Sequence, residues 1–92
     1  MSARFACPCC FNMTLNEQPP GTFLICPVCY WEDDELQYRD EDLRGGANEV
    51  GLKEAQANYR CLGVSDPRFQ DRVRQPTAEE RGTPPGRVGQ KR

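Results

Sequence analysis

Phe11-Asn12-Met13-Thr14-Leu15 alternates apolar and polar side chains, the period of a half-buried strand. Thr22-Phe23-Leu24-Ile25 is rich in strand formers, and the turn residues Pro19-Pro20-Gly21 lie between the two runs. The pattern predicts a hairpin that pairs 11–15 with 22–25. The period changes after Gly45-Gly46. Leu52, Ala55, Tyr59 and Leu62 fall at offsets 0, 3, 7 and 10, one stripe of a helix running over about 51–62. Gly51 with Glu54 three residues on stands at its start, and Gly63 suits its C-terminal cap. Asp66-Pro67 opens a short helical turn that presents Phe69 and Val73. No apolar run approaches the roughly 18 residues of a membrane span, and the first seven residues lack a signal-peptide core. A soluble, cytoplasmic protein with no membrane partner is expected.

Composition changes the picture, because the predicted core is thin. Leu, Ile, Val and Phe together number 16 of 92 residues, below the roughly 20% at which burial alone struggles to fold a chain. Gly and Pro contribute another 16, which limits regular structure. Such a chain needs a staple, and six cysteines are the obvious source. The net charge of −2 hides a dipole: the chain carries −6 through Asp66 and +4 beyond it. Histidine is absent, which removes imidazole ligands, Ser-His and Cys-His nucleophile pairs and the commonest acid–base side chain.

The chemistry sits in two pairs, Cys7-Pro8-Cys9-Cys10 and Cys26-Pro27-Val28-Cys29, separated by residues 11–25. That is the spacing of a zinc ribbon. Two thiolates three residues apart converge on one ion from a tight knuckle, proline supplies the fixed φ, and the intervening chain returns the second knuckle to the first. Cys7, Cys10, Cys26 and Cys29 are the expected ligands of one structural zinc ion. Structural zinc contributes roughly 10–16 kcal/mol of apparent binding free energy, against a total stability of about 5–15 kcal/mol for ordinary domains. Three readings compete with zinc: a disulfide framework, thioredoxin-like redox chemistry at one pair, and iron in the same four thiolates as in rubredoxin. Cys9 is a spare thiol or an alternative ligand. Cys61 lies off the helical stripe and is expected to pack under the C-terminal segment.

At these residues the chain resembles the CPCC family of small cysteine-rich proteins, found mainly in bacteria. The resemblance covers about residues 5–75. It rests on Cys7 to Cys10, on Cys26-Pro27-Val28-Cys29-Tyr30-Trp31-Glu32-Asp33-Asp34, on Gly45-Gly46-Ala47-Asn48, and on Leu52 to Tyr59. It implies a small metal-binding fold and brings no activity with it. The family tends to carry Ser where this chain has Gly51, which implies a frayed helix start.

Taken together, these readings predict a small α+β domain over residues 1–75. A zinc-ribbon or rubredoxin-like knuckle hairpin (5–31) leads through an acidic loop (32–46) to one packed helix. A basic Pro/Gly/Arg-rich tail, 76–92, is expected to be largely disordered. Four cysteines leave a metal no open position, so no enzyme is expected. Function falls to binding. Trp31 reads as a core anchor against Tyr59 or as an exposed contact, and Glu32, Asp33, Asp34 and Glu35 as a solvated loop or a dock. The leading expectation is a zinc-stabilised module that engages a protein partner through the acidic face around residues 32–42. An inhibitor or adaptor of a basic protein, such as a bacterial nuclease toxin, is one form of it. The alternatives are nucleic-acid binding led by Arg68, Arg72, Arg74, Arg81, Arg87, Lys91 and Arg92, and electron transfer at iron.

Overall fold

A cysteine pair folds the chain back on itself within four residues, so the segments flanking each pair are the ones that meet. In the computed structural model, which describes residues 4–82, strand β1 (Phe5–Ala6) pairs antiparallel with β2 (Met13–Leu15) across the first pair. Phe5 faces Leu15 and Ala6 faces Met13, with an irregularity between them. Residues 22–25 do not join this sheet. They run beside 31–33 across the second pair, through Phe23 N–H to the Asp33 carbonyl (2.9 Å), Asp33 N–H to the Leu24 carbonyl (3.0 Å) and a bridge between Ile25 and Glu32. The expected single hairpin is therefore two, each closed by its own cysteine pair.

The core has sulfur at its centre. Its buried cluster is Cys7, Cys9, Cys10, Leu15, Cys26, Val28, Cys29, Trp31, Val50, Leu52 and Ala55, with Phe5, Leu24 and Tyr59 packed against it. Trp31 is 1% exposed, so it is the anchor and not a surface contact. Among the described residues no helix is long and apolar enough to cross a membrane.

The acidic segment holds a helix that hydrophobic period does not reveal. Helix α1 (Glu35–Arg39) starts at Asp34, whose carboxylate accepts from Leu36 N–H (2.8 Å) and Gln37 N–H (3.2 Å), and Glu35 pairs with Arg39 one turn on. Gln37 is fully buried, and residues 43–50 are wound around it. Its amide nitrogen donates to the carbonyls of Leu43, Asn48 and Val50, while its oxygen accepts from the backbone and side-chain N–H of Asn48. An apolar side chain could satisfy none of these groups.

Helix α2 (Leu52–Leu62) has the expected span, and Gly63 ends it at φ 80°. Leu52 and Ala55 are buried and Tyr59 packs on the core, but Leu62 is 46% exposed and leaves the stripe. Its start does not depend on a side-chain cap. The Lys53 N–H donates instead to the Glu41 carbonyl (2.9 Å), and that chain passes so close that a Cβ on Gly51 would stand 3.0 Å from the carbonyl oxygens of Glu41 and Leu43. The loop replaces the missing cap and leaves little room for a side chain.

A 3₁₀ turn (Pro67–Arg72) follows, capped by the Asp66 carboxylate on Arg68 N–H (3.0 Å). It straps the second knuckle: Ser65 N–H reaches the Cys29 carbonyl (2.8 Å), Arg74 N–H reaches that of Pro27 (3.2 Å), and Phe69 packs on Tyr30 with ring centres 4.6 Å apart. The boundary expected after residue 75 also moves. Pro76 and Glu80 are buried, the Glu80 carbonyl accepts from Met13 N–H on β2, and Gly82 N–H reaches Asn12 Oδ1 (3.3 Å). The Glu80 carboxylate holds Arg74 through two 2.9 Å bonds, and that guanidinium draws its carboxyl down to about 2. The tail from 83 to 92 lies outside the described residues.

Gln37→Ala should lower the unfolding free energy by about 3 kcal/mol, because it leaves several buried partners unpaired. Urea denaturation of the metal-loaded protein measures this, and the exposed Gln70→Ala, on the 3₁₀ turn, should change it by less than about 0.5 kcal/mol.

Candidate metal centre

The two knuckles are built alike, nineteen residues apart. In the first, Cys7 N–H donates to the Asn12 carbonyl (2.9 Å), Phe11 N–H to the Cys7 carbonyl (2.8 Å) and Cys9 N–H to Cys7 Sγ (3.4 Å). In the second, Cys26 N–H donates to the Trp31 carbonyl (2.9 Å), Tyr30 N–H to the Cys26 carbonyl (2.7 Å) and Val28 N–H to Cys26 Sγ (3.4 Å). Phe11 and Tyr30, one residue past each pair, take φ values of 65° and 70°. Aromatic residues rarely adopt this left-handed region. The turn imposes it on both, and no propensity reading would have found it.

The knuckles face each other and bring four sulfurs together. Cys7 Sγ lies 3.6 Å from Cys29 Sγ and Cys10 Sγ 3.8 Å from Cys26 Sγ, and all four fall within 4.8 Å of one another. A tetrahedral ion with metal–sulfur bonds of about 2.3 Å separates its sulfurs by about 3.8 Å, so the donor set fits one such ion. A disulfide needs about 2.05 Å, and all six cysteines are free. No disulfide links the knuckles in this structure, and the spacing of the four sulfurs suits an ion. Cys7, Cys10, Cys26 and Cys29 are all buried, so four side chains would fill the coordination of a tetrahedral ion and enclose it. The cluster is compatible with metal binding, and zinc and iron fit its distances equally.

Burial pushes the Cys7 and Cys29 thiols well above the ordinary range, whereas hydrogen bonds from Cys10, then Cys29 and Cys7, pull Cys26 far below it. Cys26 also receives the Thr14 hydroxyl at 3.0 Å. Thr14 is itself buried, on β2, and is a donor that the cysteine spacing gives no hint of. Cys9 occupies the place in its knuckle that Val28 occupies in the other, outside the four-sulfur group. Cys61 is exposed on α2 and does not pack under the C-terminal segment.

Two of the acidic residues expected to form a face, Asp33 and Asp34, are interior. Asp33 is fully buried, and its carboxylate accepts from Thr22 N–H (2.9 Å) and Oγ1–H (2.7 Å). Asp34 is buried and caps α1, with its second oxygen on Ala47 N–H (2.9 Å). The backbone of half-buried Glu32 is clasped by the Asn48 side chain. Of this block only Glu35 is exposed. Trp31, Asp33 and Asp34 therefore build the fold and cannot form a contact surface. Among the arginines, Arg68 is tied to Asp66 and lies over Phe69, and Arg74 is tied to Glu80. Arg72 and Arg81 are exposed, and Arg87, Lys91 and Arg92 lie outside the described residues. A groove of about 1200 Å³ runs beside the first knuckle, its walls including Pro8, Cys9, Cys10, Phe11, Tyr59 and Arg74. Nothing in the hydrophobic pattern announces it.

The family described as Cysteine-rich CPCC matches residues 5–80, and the chain belongs to it. None of the curated proteins matches the chain. The family match spans both knuckles and ends at Glu80, the residue whose carbonyl closes onto β2.

Thr14→Val keeps the shape but removes the hydroxyl that reaches Cys26, and loss of such an outer donor typically costs about 10–100-fold in metal affinity. Competition with a chelator of known affinity should show that loss for Thr14→Val, and Thr14→Ser should restore most of it.

Proposed function

We propose that this member of the CPCC family is a non-enzymatic, zinc-stabilised binding module that engages a basic protein partner through its acidic surface. The observation that carries the reading is the enclosed four-sulfur cluster. Four buried thiolates complete the tetrahedron of a zinc ion, with no position left for water or substrate, so the ion's part is to hold the fold. Two hairpins that meet at one sulfur cluster support a zinc-ribbon-like reading of the fold.

The contact surface then falls to what remains exposed. Helix α1 and the turn after it present Glu35, Asp40, Glu41 and Asp42 beside Leu36, 67% exposed, and Tyr38. Residues 4–82 hold nine basic and fourteen acidic side chains, a formal charge of −5. A dication held by four thiolates adds −2, and such a surface steers a basic partner and repels nucleic acid.

Chelation under reducing conditions should abolish the cooperative unfolding transition and the amide circular dichroism of the helices. A spectrum left intact would overturn the structural role of the metal. Elemental analysis should return one equivalent of zinc in a colourless preparation; a red one with visible thiolate-to-iron absorption would support the electron-transfer alternative instead. A partner recovered on the metal-loaded protein should be released by salt and lost when Glu35, Glu41 and Asp42 are all replaced by Lys. Binding indifferent to both would overturn the acidic-surface reading.

A further inference from the structure

Cys9 is the buried sulfur that the four-sulfur cluster leaves over. Val28 fills the equivalent place in the second knuckle, so the turn needs only a small apolar side chain there. The groove reaches Cys7, Cys9 and Cys10, but its walls include neither Cys26 nor Cys29. Hydrogen-bond donors divide the sulfurs further. Cys7 Sγ accepts the Cys9 amide, and Cys26 Sγ accepts the Val28 amide and the Thr14 hydroxyl. Among the described residues no N–H or hydroxyl donor reaches Cys10 Sγ. A donor withdraws electron density from a thiolate and weakens it as a nucleophile. Of the two cluster cysteines that line the groove, Cys7 and Cys10, only Cys10 has a sulfur without such a donor.

We propose that Cys10 and Cys9 form an oxidant-sensitive pair: a hydroperoxide entering the groove oxidises Cys10, and Cys9 resolves it as a disulfide that opens the metal site. The inference rests on the four-thiolate metal site proposed above. In the first step the Cys10 thiolate attacks one peroxide oxygen. The S–O bond forms, the O–O bond breaks, and the second oxygen leaves as hydroxide or alkoxide and takes a proton from water. Cys10 is then a sulfenic acid. In the second step the Cys9 sulfur attacks the Cys10 sulfur. The S–S bond forms, the S–O bond breaks, and the departing hydroxide leaves as water with the Cys9 proton. The two sulfurs together lose two electrons and the peroxide gains them. Adjacent Cα atoms stand about 3.8 Å apart, closer than the usual span of about 4.4–6.8 Å for a disulfide. The product is strained, easily reduced, and therefore reversible.

The full chain carrying Cys61→Ser, which removes the exposed thiol, is loaded with Zn²⁺ and given hydrogen peroxide in steps. Zinc release is followed with a chromogenic chelator, and the cysteines are mapped by mass spectrometry after blocking. The expected result is one zinc released per Cys9–Cys10 disulfide, with dithiothreitol and Zn²⁺ restoring the loaded protein. Cys9→Val copies the second knuckle and should still bind one zinc. Under peroxide its Cys10 should advance to sulfinic acid, and reductant should no longer restore binding. A first disulfide that excludes Cys9, or full recovery of Cys9→Val on reduction, would overturn the pair. A chain that takes up no zinc before oxidant is added would overturn the metal reading itself.

Discussion

The convergence of four cysteine sulfurs from two turns is the constraint on which the other contacts depend. Strands of two and three residues cannot hold each other, since an isolated two-stranded hairpin is marginal in water even at ordinary length. A five-residue helix is far below the length at which helices persist alone. What keeps these pieces in place is their attachment to the knuckles. The first knuckle carries β1 and β2, the second carries Trp31 into the core and anchors the strap that ends in Arg74. Ile, Leu, Val and Phe are too few to do this by area, and nearly half of the buried core cluster is cysteine.

A second set of contacts offsets the thin core, and it is polar. Asp34, Gln37 and one carboxylate oxygen of Asp33 bond backbone groups of residues 22–50, which otherwise have little regular structure to satisfy them. This explains why a run of acids interrupts the chain directly after the second knuckle. Asp33 closes the second hairpin from inside, and Asp34 turns the chain into α1. Burial of charged groups is costly unless each is hydrogen-bonded, and these carboxylates accept bonds that a solvated loop would leave to water.

Two features of this arrangement could be read in the residues. Spacing alone singled out the four cysteines that meet, because thiolates three apart are the shortest route to two ligands from one turn. The stripe from Leu52 to Tyr59 located α2 because it packs on a core of apolar neighbours. The hairpin pairing could not be read in the same way. Residues 11–15 and 22–25 carry strand signals whichever partner they take, and the local closure at each cysteine pair decides it. The burial of Asp33 and Asp34 was equally hidden, since Glu32, Asp33, Asp34 and Glu35 look alike in composition and differ only in where the second hairpin points them. One clue was present. Asp34 with Gln37 three residues on is the spacing of a capping box, and it marks the start of α1 without any hydrophobic period. The role of Glu80 had no such sign, because a carboxylate held by Arg74 six residues earlier follows from the strap's path around the second knuckle.

Because the fold takes both Trp31 and the inner acids for itself, recognition falls to two surfaces that share Tyr38 and Glu41. On one side stand the exposed acids and apolar residues of α1 and the turn after it. Beside the first knuckle lies the groove, whose walls include Cys9 and Cys10, the places that the second knuckle fills with Val28 and Cys29. The two knuckles are equal in backbone and unequal in access. A purely structural clasp has no need of that inequality, and a valine at residue 9 would have served the turn as well. Cys9 is therefore the residue at which the first knuckle departs from what its turn alone requires.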